Sequence, residues 1–306
     1  MAIVTTMCKL LFSMAIGFYL YKAGMFTPET NAKMSAVIVK VTCPCLLLYS
    51  ISTVDNGESS TVLAVFAAGI AAYILFIAIG FLFSKVFCRR AELRPVYMCM
   101  LIFSNNIFMG VPVVQSLIGD RAIFYITIFN MSFNFLYFTI GLYLLNRNED
   151  GTGNEKFSFR RFLNPGILAS LLSLLIFFTK MPVPDIIYSC LNFVGSITTP
   201  LSMIIIGSSI AAASVGEVRE ERALIPMLIF RLLVIPAVVY FLMSAIGFEA
   251  DVVKICTLGA GMPVASMVAM GSASHPVKGK TASLGVAVST IVSMATIPVM
   301  AVLLGL

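Results

Sequence analysis

Residues 104–112 read SNNIFMGVP and interrupt a segment of the 306-residue chain that is otherwise apolar. The stretch contains Asn105, Asn106, Gly110 and Pro112. Proline removes a backbone amide donor and clashes with the carbonyl group one turn earlier, so a helix bends or breaks there. Inside a membrane, freed backbone groups are tolerated only where protein or a polar cavity surrounds them. The stretch therefore predicts a broken helix beside a cavity.

A second stretch of the same kind lies in the other half of the chain. Residues 259–266 read GAGMPVAS and include Gly261, Met262 and Pro263. If both helices break near the middle of a membrane and cross, the N-termini of two half-helices face one point, each with about half a positive charge. Such a point favours an anion. The two stretches together predict a binding site for a negatively charged solute.

The two halves also correspond at an earlier pair of prolines. Pro44 lies 68 residues before Pro112, and Pro200 lies 63 residues before Pro263. Prolines are frequent in membrane helices, and a simple kink is the better interpretation for Pro44 and Pro200 taken alone. The paired placement of all four favours a duplication. Because each half has five spans, an odd number, the second half is expected to have inverted topology.

Composition determines the class of protein independently of these motifs. Hydrophobic residues make up 59% of the chain and charged residues 11%, whereas soluble domains carry about 25% charged residues. This excludes a soluble enzyme, a disordered chain and a disulfide-stapled secreted domain, and the continuous apolar segments exclude a membrane β-barrel. About 20 apolar residues cross the hydrocarbon core. The chain offers ten such spans, at residues 2–21, 31–52, 61–84, 96–118, 122–146, 165–179, 186–212, 223–247, 252–273 and 281–305.

We therefore predict an all-α polytopic membrane protein embedded in the lipid bilayer. Its ten transmembrane helices form two inverted five-helix repeats, in which helices 4 and 9 are broken and cross. The first repeat is expected at residues 1–146 and the second at 164–306, joined by a cytoplasmic linker at 147–163. The pair Thr27-Pro28 predicts an N-cap and first helical position, so the second helix should begin there.

The basic residues report orientation. The net charge is +6, but the lysines and arginines lie in short loops between apolar spans, so a nucleic-acid partner is not expected. Loops after the odd-numbered spans hold fourteen of them and the other loops three, which places the first set in the cytoplasm and both termini outside the cell membrane. The fourteen are Lys22, Lys33, Lys85, Arg89, Arg90, Arg94, Arg147, Lys156, Arg160, Arg161, Arg219, Arg222, Lys278 and Lys280.

Polar residues inside the spans are further candidates for the site. Asn130 and Asn134 are four residues apart in the fifth span and share a face. Their amides can donate to a carboxylate without bringing a charge that must be desolvated, although interhelical hydrogen bonding is an alternative role. Lys40 lies centrally in the second span and either faces the substrate path or snorkels to the interface. Arg231, in the eighth span, is a weaker candidate of the same kind.

The acidic residues lie in loops or at span ends, so a cationic substrate would lack its expected counter-charge. Coupling to a sodium ion that is bound by carbonyl and amide oxygens remains an open alternative. The seven cysteines are interpreted as small buried side chains rather than disulfide partners or metal ligands. No nucleophile–base pair and no phosphate-binding loop are found, so we expect neither an enzyme, nor a metal, nor a cofactor.

At residues 104–112 and 259–266, together with Asn164-Pro165-Gly166, the sequence resembles the auxin efflux carrier family of the bile-acid and sodium symporter superfamily. The resemblance covers nearly the whole chain. It implies a scaffold of spans 1, 2, 6 and 7 and a mobile transport domain of spans 3–5 and 8–10. It also implies that Asn105 matches the family's asparagine and that Pro112 and Pro263 are its crossover prolines. Asn106 and Ile107 depart from the family pattern, and the short central loop means that auxin itself is not implied.

These inferences predict a secondary transporter that moves a small organic anion, a carboxylate, by elevator-like alternating access. A sodium-coupled symporter of bile-acid-like solutes is the alternative of the same class, and uptake with sodium replaced by choline separates the two. A membrane sensor that binds a ligand without moving it is a lower-ranked alternative, and it predicts no counterflow. Members of the family are often dimeric, which leaves a homodimer open.

Overall fold

Long apolar runs fold into helices in the computed structural model, which describes residues 2–54, 59–146, 165–212, 221–272 and 275–306. These residues contain no strand beyond one isolated bridge, which confirms the prediction of an all-helical protein. The predicted linker at 147–163 lies outside the described residues. The helices are α1 (Ala2–Lys22), α2 (Pro28–Thr53), α3 (Ser59–Phe87), α4 (Arg94–Ile102), α5 (Asn106–Leu117), α6 (Arg121–Leu145), α7 (Pro165–Thr179), α8 (Asp185–Gly195), α9 (Thr198–Ala212), α10 (Leu224–Ile246), α11 (Ala250–Ala260), α12 (Ser266–Ser272) and α13 (Pro276–Leu303).

Six helical segments within the described ranges are long and apolar enough to cross a membrane. They are α2, α3, α6, the pair α8 and α9, α10 and α13. The predicted fourth and ninth spans do not qualify as single helices because each is interrupted and its pieces are short. Large apolar side chains on the outer surface are left uncovered, for example Phe193, which is 80% exposed, and Phe241, which is 69% exposed. Hydrocarbon is the solvent that suits such a surface, so the chain is a multi-pass membrane protein.

The start of α2 follows the sequence prediction. Thr27 has extended backbone angles, and its hydroxyl oxygen accepts a hydrogen bond from the Thr30 amide at 3.2 Å. Pro28 occupies the first helical turn, where its missing amide hydrogen would have had no helical acceptor. The predicted cap at Thr27 is confirmed.

Three prolines inside helices are each preceded by a wide turn of π-helix rather than by a break. A proline cannot donate to the carbonyl one turn back, and the wider turn shifts the hydrogen-bond register around the missing donor. The wide turns are Ile38–Thr42 before Pro44, Asn106–Gly110 before Pro112, and Phe230–Val234 before Pro236. Pro112 therefore lies inside helix α5 and not within the interruption of the fourth span.

The fourth span is instead interrupted at residues 103–105, where the sequence is Phe103-Ser104-Asn105. Serine and asparagine compete with the helix for backbone hydrogen bonds, which favours non-helical conformations. The ninth span is interrupted at 261–265, and this break does include Pro263. The two prolines that the sequence pairs, Pro112 and Pro263, thus occupy different positions relative to the two interruptions.

Helices α1 and α9 approach each other closely through glycine. A Cβ atom added to Gly207 would lie 1.9 Å from the carbonyl oxygen of Met14, and one added to Gly17 would lie 1.9 Å from that of Ile204. The contact is reciprocal, so each helix presents a glycine to the backbone of the other. Small residues allow this kind of close packing between membrane helices.

A second contact joins the segments around Pro44 and Pro200. The Thr198 hydroxyl donates to the Thr42 hydroxyl at 2.9 Å, and both side chains are buried. Next to it, Gly195 faces the backbone of Leu46, and a Cβ there would lie 2.7 Å from the Leu46 Cα. The Thr-X-Pro positions that correspond in sequence therefore meet in space between α2 and α9.

Candidate functional site

The two interrupted segments pair with each other through their backbones. Ser104 and Val264 form an antiparallel bridge. The Asn105 amide donates to the Pro263 carbonyl, and the Ala265 amide donates to the Phe103 carbonyl, each at 2.9 Å. Backbone groups that have left a helix in an apolar interior need such partners. We call residues 103–105 and 261–265 together the paired interruption.

Arg231 supplies the remaining donors at this point. Its side chain is fully buried in the π-turn of α10. The guanidinium donates from Nε to the Met262 carbonyl at 3.0 Å, from Nη1 to the Leu101 carbonyl at 2.9 Å, and from Nη2 to the Ser104 hydroxyl. Leu101 and Met262 lie where α4 and α11 end, so one cation binds the C-terminal ends of both half-helices.

A serine from a third helix completes the paired interruption. The hydroxyl of Ser289 in α13 accepts from the Val264 amide at 3.0 Å. Ser289 is fully buried. The Val264 amide, which has no acceptor in either interrupted segment, thus donates to a side chain of another helix. Helices α10 and α13 both stabilise the interrupted conformation through such contacts.

A cavity of about 110 Å³ lies beside the start of α5, between α2 and α7 on one side and α5, α6 and α12 on the other. Its wall includes the three amide side chains of Asn106, Asn130 and Asn134, and we call it the amide cavity. Asn106 Nδ2 donates to Asn130 Oδ1 at 3.3 Å. Thr127 and Ser170 add hydroxyl groups to the same wall. The volume accommodates several water molecules or a small organic solute.

Two amide atoms at the start of α5 have no hydrogen-bond partner within the described part of the chain. They are Nδ2 of Asn105 and Oδ1 of Asn106, and both side chains are buried. A buried polar atom without a partner costs about 1–3 kcal/mol. The Nδ2 group of Asn105 is a donor and therefore suits an acceptor such as a carboxylate.

A second, larger cavity of about 490 Å³ lies on the other side of the paired interruption. We call it the serine cavity, because Ser35, Ser209, Ser266 and Ser283 are in its wall. Pro28 and Lys280 lie at its outer end, where α2 and α13 begin. Its volume falls within the range of roughly 300–1,000 Å³ that is typical of small-molecule sites.

Successive residues of the half-helices contribute to different cavities. Ile107 lines the amide cavity and Phe108 lines the serine cavity. In the same way Ser266 lines the serine cavity and Met267 lines the amide cavity. The first turns of α5 and α12 therefore form the wall between the two cavities.

The structure brings together part of the predicted site. Asn106, Asn130 and Asn134 line the amide cavity, while Asn105, Gly261, Met262 and Pro263 belong to the paired interruption. Gly110 packs against Asn106 and Met262, and Gly261 packs against Met300. Pro112 lies in α5 and is absent from both cavity walls.

Lys40 does not join the other predicted site residues. Its side chain is exposed on the outer surface of α2, and it lines neither cavity. Lys40 lies in a π-turn, which changes the direction in which side chains leave the helix. The position of Lys40 in the sequence therefore could not reveal which side of the helix it occupies. The structure favours the alternative, in which Lys40 snorkels toward the interface.

Arg231 is the functional residue that sequence reasoning undervalued. A charge in the middle of an apolar span costs at least about 2.5 kcal/mol, so its presence alone signals a buried partner. The partners are the carbonyl groups of Met262, 31 residues away in the chain, and of Leu101, 130 residues away, and no local pattern identifies them. Ser289 left no signal in the sequence, because one serine in an apolar helix is unremarkable.

Comparison with known proteins identifies the family of the chain. A family model described as membrane transport protein matches residues 2–301. An uncharacterized transporter of Methanothermobacter thermautotrophicus is 24% identical over 308 aligned positions, which cover 98% of this chain and 97% of that protein. An uncharacterized transporter of Methanocaldococcus jannaschii is 22% identical over 262 residues, 82% of each chain. The family predicted from residues 104–112 and 259–266 is confirmed, and the chain belongs to the membrane transport proteins of the auxin efflux carrier family.

Proposed function

We propose that this protein is a secondary transporter that moves a small organic anion, a carboxylate, across the cell membrane by alternating access. The observation that carries the proposal is the amide cavity beside the paired interruption, whose wall contains the side chains of Asn106, Asn130 and Asn134. Amide donors bind a carboxylate well and cost less to bury than a charged group. Membership of a transport family supports movement of the solute rather than binding alone.

The sign of the buried charge supports an anion. Among the described residues, the charged side chains that are buried are Arg231 and Lys278, and no Asp or Glu is buried. The hydrogen-bond acceptors of Arg231 are two carbonyls and a hydroxyl, so its charge is not neutralised by a carboxylate there. Arginine remains protonated in proteins. Because no buried carboxylate is present among these residues, a cationic solute would lack the counter-charge that it needs in an apolar interior, whereas an anion needs none.

The two cavities suggest how access alternates. In this proposal ten spans form two inverted repeats; α1, α2, α7, α8 and α9 form a scaffold, and α3–α6 with α10–α13 form a transport domain. Both cavities lie between helices of these two groups. The glycine contacts between α1 and α9 support a rigid scaffold, and the paired interruption with Arg231 supports a rigid transport domain. Sliding of one group past the other would open the solute site to either side.

The orientation in the membrane follows from the loop charges and places both termini outside the cytoplasm. The serine cavity, which ends near Pro28 and Lys280, would then open to the cytoplasm. A C-terminal fusion to alkaline phosphatase, an enzyme that is active only outside the cytoplasm, is expected to be active. A fusion that is inactive there, while a fluorescent cytoplasmic reporter is bright, would contradict this orientation.

The experiment that tests the function uses purified protein in liposomes. Succinate, lactate and benzoate, as a dicarboxylate, a monocarboxylate and an aromatic acid, are loaded inside, and counterflow of the labelled solute is measured. At least one of them is expected to exchange, whereas a sensor would bind without counterflow.

The matched variants are Asn106→Ala in the amide cavity and Asn192→Ala on the exposed surface of α8. A hydrogen bond to a charged group contributes about 1.5–3 kcal/mol, so Asn106→Ala is expected to weaken apparent affinity about tenfold to a hundredfold. Asn192→Ala should leave transport unchanged. Equal counterflow in both variants would remove the amide cavity from the solute path.

A further inference from the structure

Arg231 occupies a position whose chemistry is that of a cation site. The C-terminal end of a helix carries about half a negative charge, and two such ends, those of α4 and α11, meet here. Their free carbonyls and the Ser104 hydroxyl form a set of neutral oxygen ligands. In secondary transporters, unwound carbonyls and the C-terminal ends of half-helices are the groups that coordinate a coupling sodium ion or proton.

The guanidinium group of Arg231 occupies the position that a bound cation would take among these oxygen atoms. Three of its nitrogens each donate to a different ligand, and the side chain is fully buried. The ring of Phe76 lies under it, with 5.8 Å between the guanidinium carbon and the ring centroid. Arg231 therefore binds residues of both interrupted spans at once, and its own helix, α10, belongs to neither of them.

We propose that Arg231 is a covalently attached substitute for a coupling cation, and that transport by this protein therefore does not require sodium. The positive charge that holds the two half-helix ends together is always present, so no ion has to bind before the solute site is formed. This inference rests on the proposed function. It means that binding of the solute, without a coupling ion, is sufficient to start the transport cycle. Arg231 acts as a positioning residue, since it contacts the backbone of the interrupted segments.

The first test needs no substrate. The protein variant Arg231→Ala in detergent is compared with wild type and with Arg222→Ala, which removes an exposed arginine from the same region of the chain. The unfolding temperature is measured in choline chloride, sodium chloride and dilute guanidinium chloride at equal ionic strength. Arg231→Ala is expected to unfold at a lower temperature and to regain part of the loss in guanidinium. Wild type and Arg222→Ala should show no gain.

The second test uses uptake. With the carboxylate found to exchange in liposomes, replacement of sodium by choline should leave the initial rate of wild type unchanged within a factor of two. Arg231→Lys keeps the positive charge but loses the planar fork of donors. It is expected to transport more slowly than wild type and to remain independent of sodium.

Three results would overturn the inference. They are wild-type uptake that stops without sodium, an Arg231→Ala protein that responds equally to guanidinium and choline, and a lysine variant that acquires a need for sodium. If Arg231→Ala does not fold, the wild-type and lysine measurements still decide. If no carboxylate is transported at all, the proposed function fails, while the unfolding temperatures still test whether Arg231 fills a cation site.

Discussion

At the scale of single residues, the polar side chains of this protein divide into two groups. One group, which includes Arg231 and Ser289, satisfies backbone atoms of the paired interruption. The other, which includes Asn106 and Asn130, lines a cavity. The first group stabilises the interrupted conformation in an apolar interior, because an unpaired backbone group there costs several kcal/mol. The second retains hydrogen-bonding capacity for a solute.

Substitution of Ser289 by alanine tests the first group. The buried Val264 amide would lose its acceptor, and leaving such a group unsatisfied costs about 1–3 kcal/mol. Ser289→Ala is therefore expected to lower the unfolding temperature in detergent. Ser13→Ala is the control, because the exposed Ser13 hydroxyl donates only to a carbonyl in its own helix. Equal unfolding temperatures for the two variants would contradict the role assigned to Ser289.

At the scale of helices, proline and serine-asparagine sequences have different effects. Pro44, Pro112 and Pro236 are accommodated by wide turns, and their helices continue. The fourth span breaks where Ser104 and Asn105 lie, without a proline in the break. A proline removes one donor, which a single π-turn can absorb, whereas a full interruption needs partners for several groups. The helices supply these partners to one another.

The glycine contact between α1 and α9 gives a prediction at the same scale. In Gly207→Ala the new methyl group would overlap the Met14 carbonyl, a backbone atom that cannot swing aside. Overpacking of this kind costs about 1–3 kcal/mol, so a clear decrease in the unfolding temperature is expected. Ile16→Ala, on the exposed side of α1, should have a smaller effect. A Gly207→Ala protein as stable as wild type would show that the helices separate without penalty.

At the scale of the whole molecule, two cavities lie between two groups of helices, and the first turns of α5 and α12 separate them. This arrangement is the basis of our proposal that the two groups move relative to each other. One polar contact between the groups is short: the Thr199 hydroxyl of α9 donates to the side-chain oxygen of Gln115 in α5 at 2.8 Å. Any sliding of the groups must break this contact.

A disulfide at this contact is expected to stop transport. The pair Gln115→Cys and Thr199→Cys, in a background without the exposed Cys8 and Cys190, would be oxidised in liposomes and the counterflow measured. Loss of counterflow that is restored by reductant is the expected result. The control pair is Thr42→Cys and Thr198→Cys, whose native side chains are 2.9 Å apart within the proposed scaffold and line neither cavity. If protein cross-linked between positions 115 and 199 still exchanged solute, transport would not require the two groups to slide at this contact.

Much of the architecture could be predicted from local sequence. Composition identified a membrane protein, and seven of the ten predicted spans coincide with single helices to within a few residues, including the start of α2 at Thr27-Pro28. The other three predicted spans are each divided between two helices. These features depend on the neighbouring residues alone, because helix formation and membrane insertion respond to hydropathy and capping along one segment. Asn106, Asn130 and Asn134 were also identified as cavity candidates from their positions. The ten-span inverted repeat stays a prediction.

Only the tertiary structure decided where the fourth span breaks and what stabilises the break. The sequence predicted a break within residues 104–112, and the structure places the interruption at 103–105, where the backbone finds partners in residues 261–265 and in Arg231. Lys40 and Arg231 looked alike as lone cations in apolar spans, yet one is exposed and the other is buried against two helix ends. The physical reason is that the free energy of a freed backbone group depends on whichever segments pack against it. The two carbonyl partners of Arg231, for example, lie 31 and 130 residues away from it in the chain.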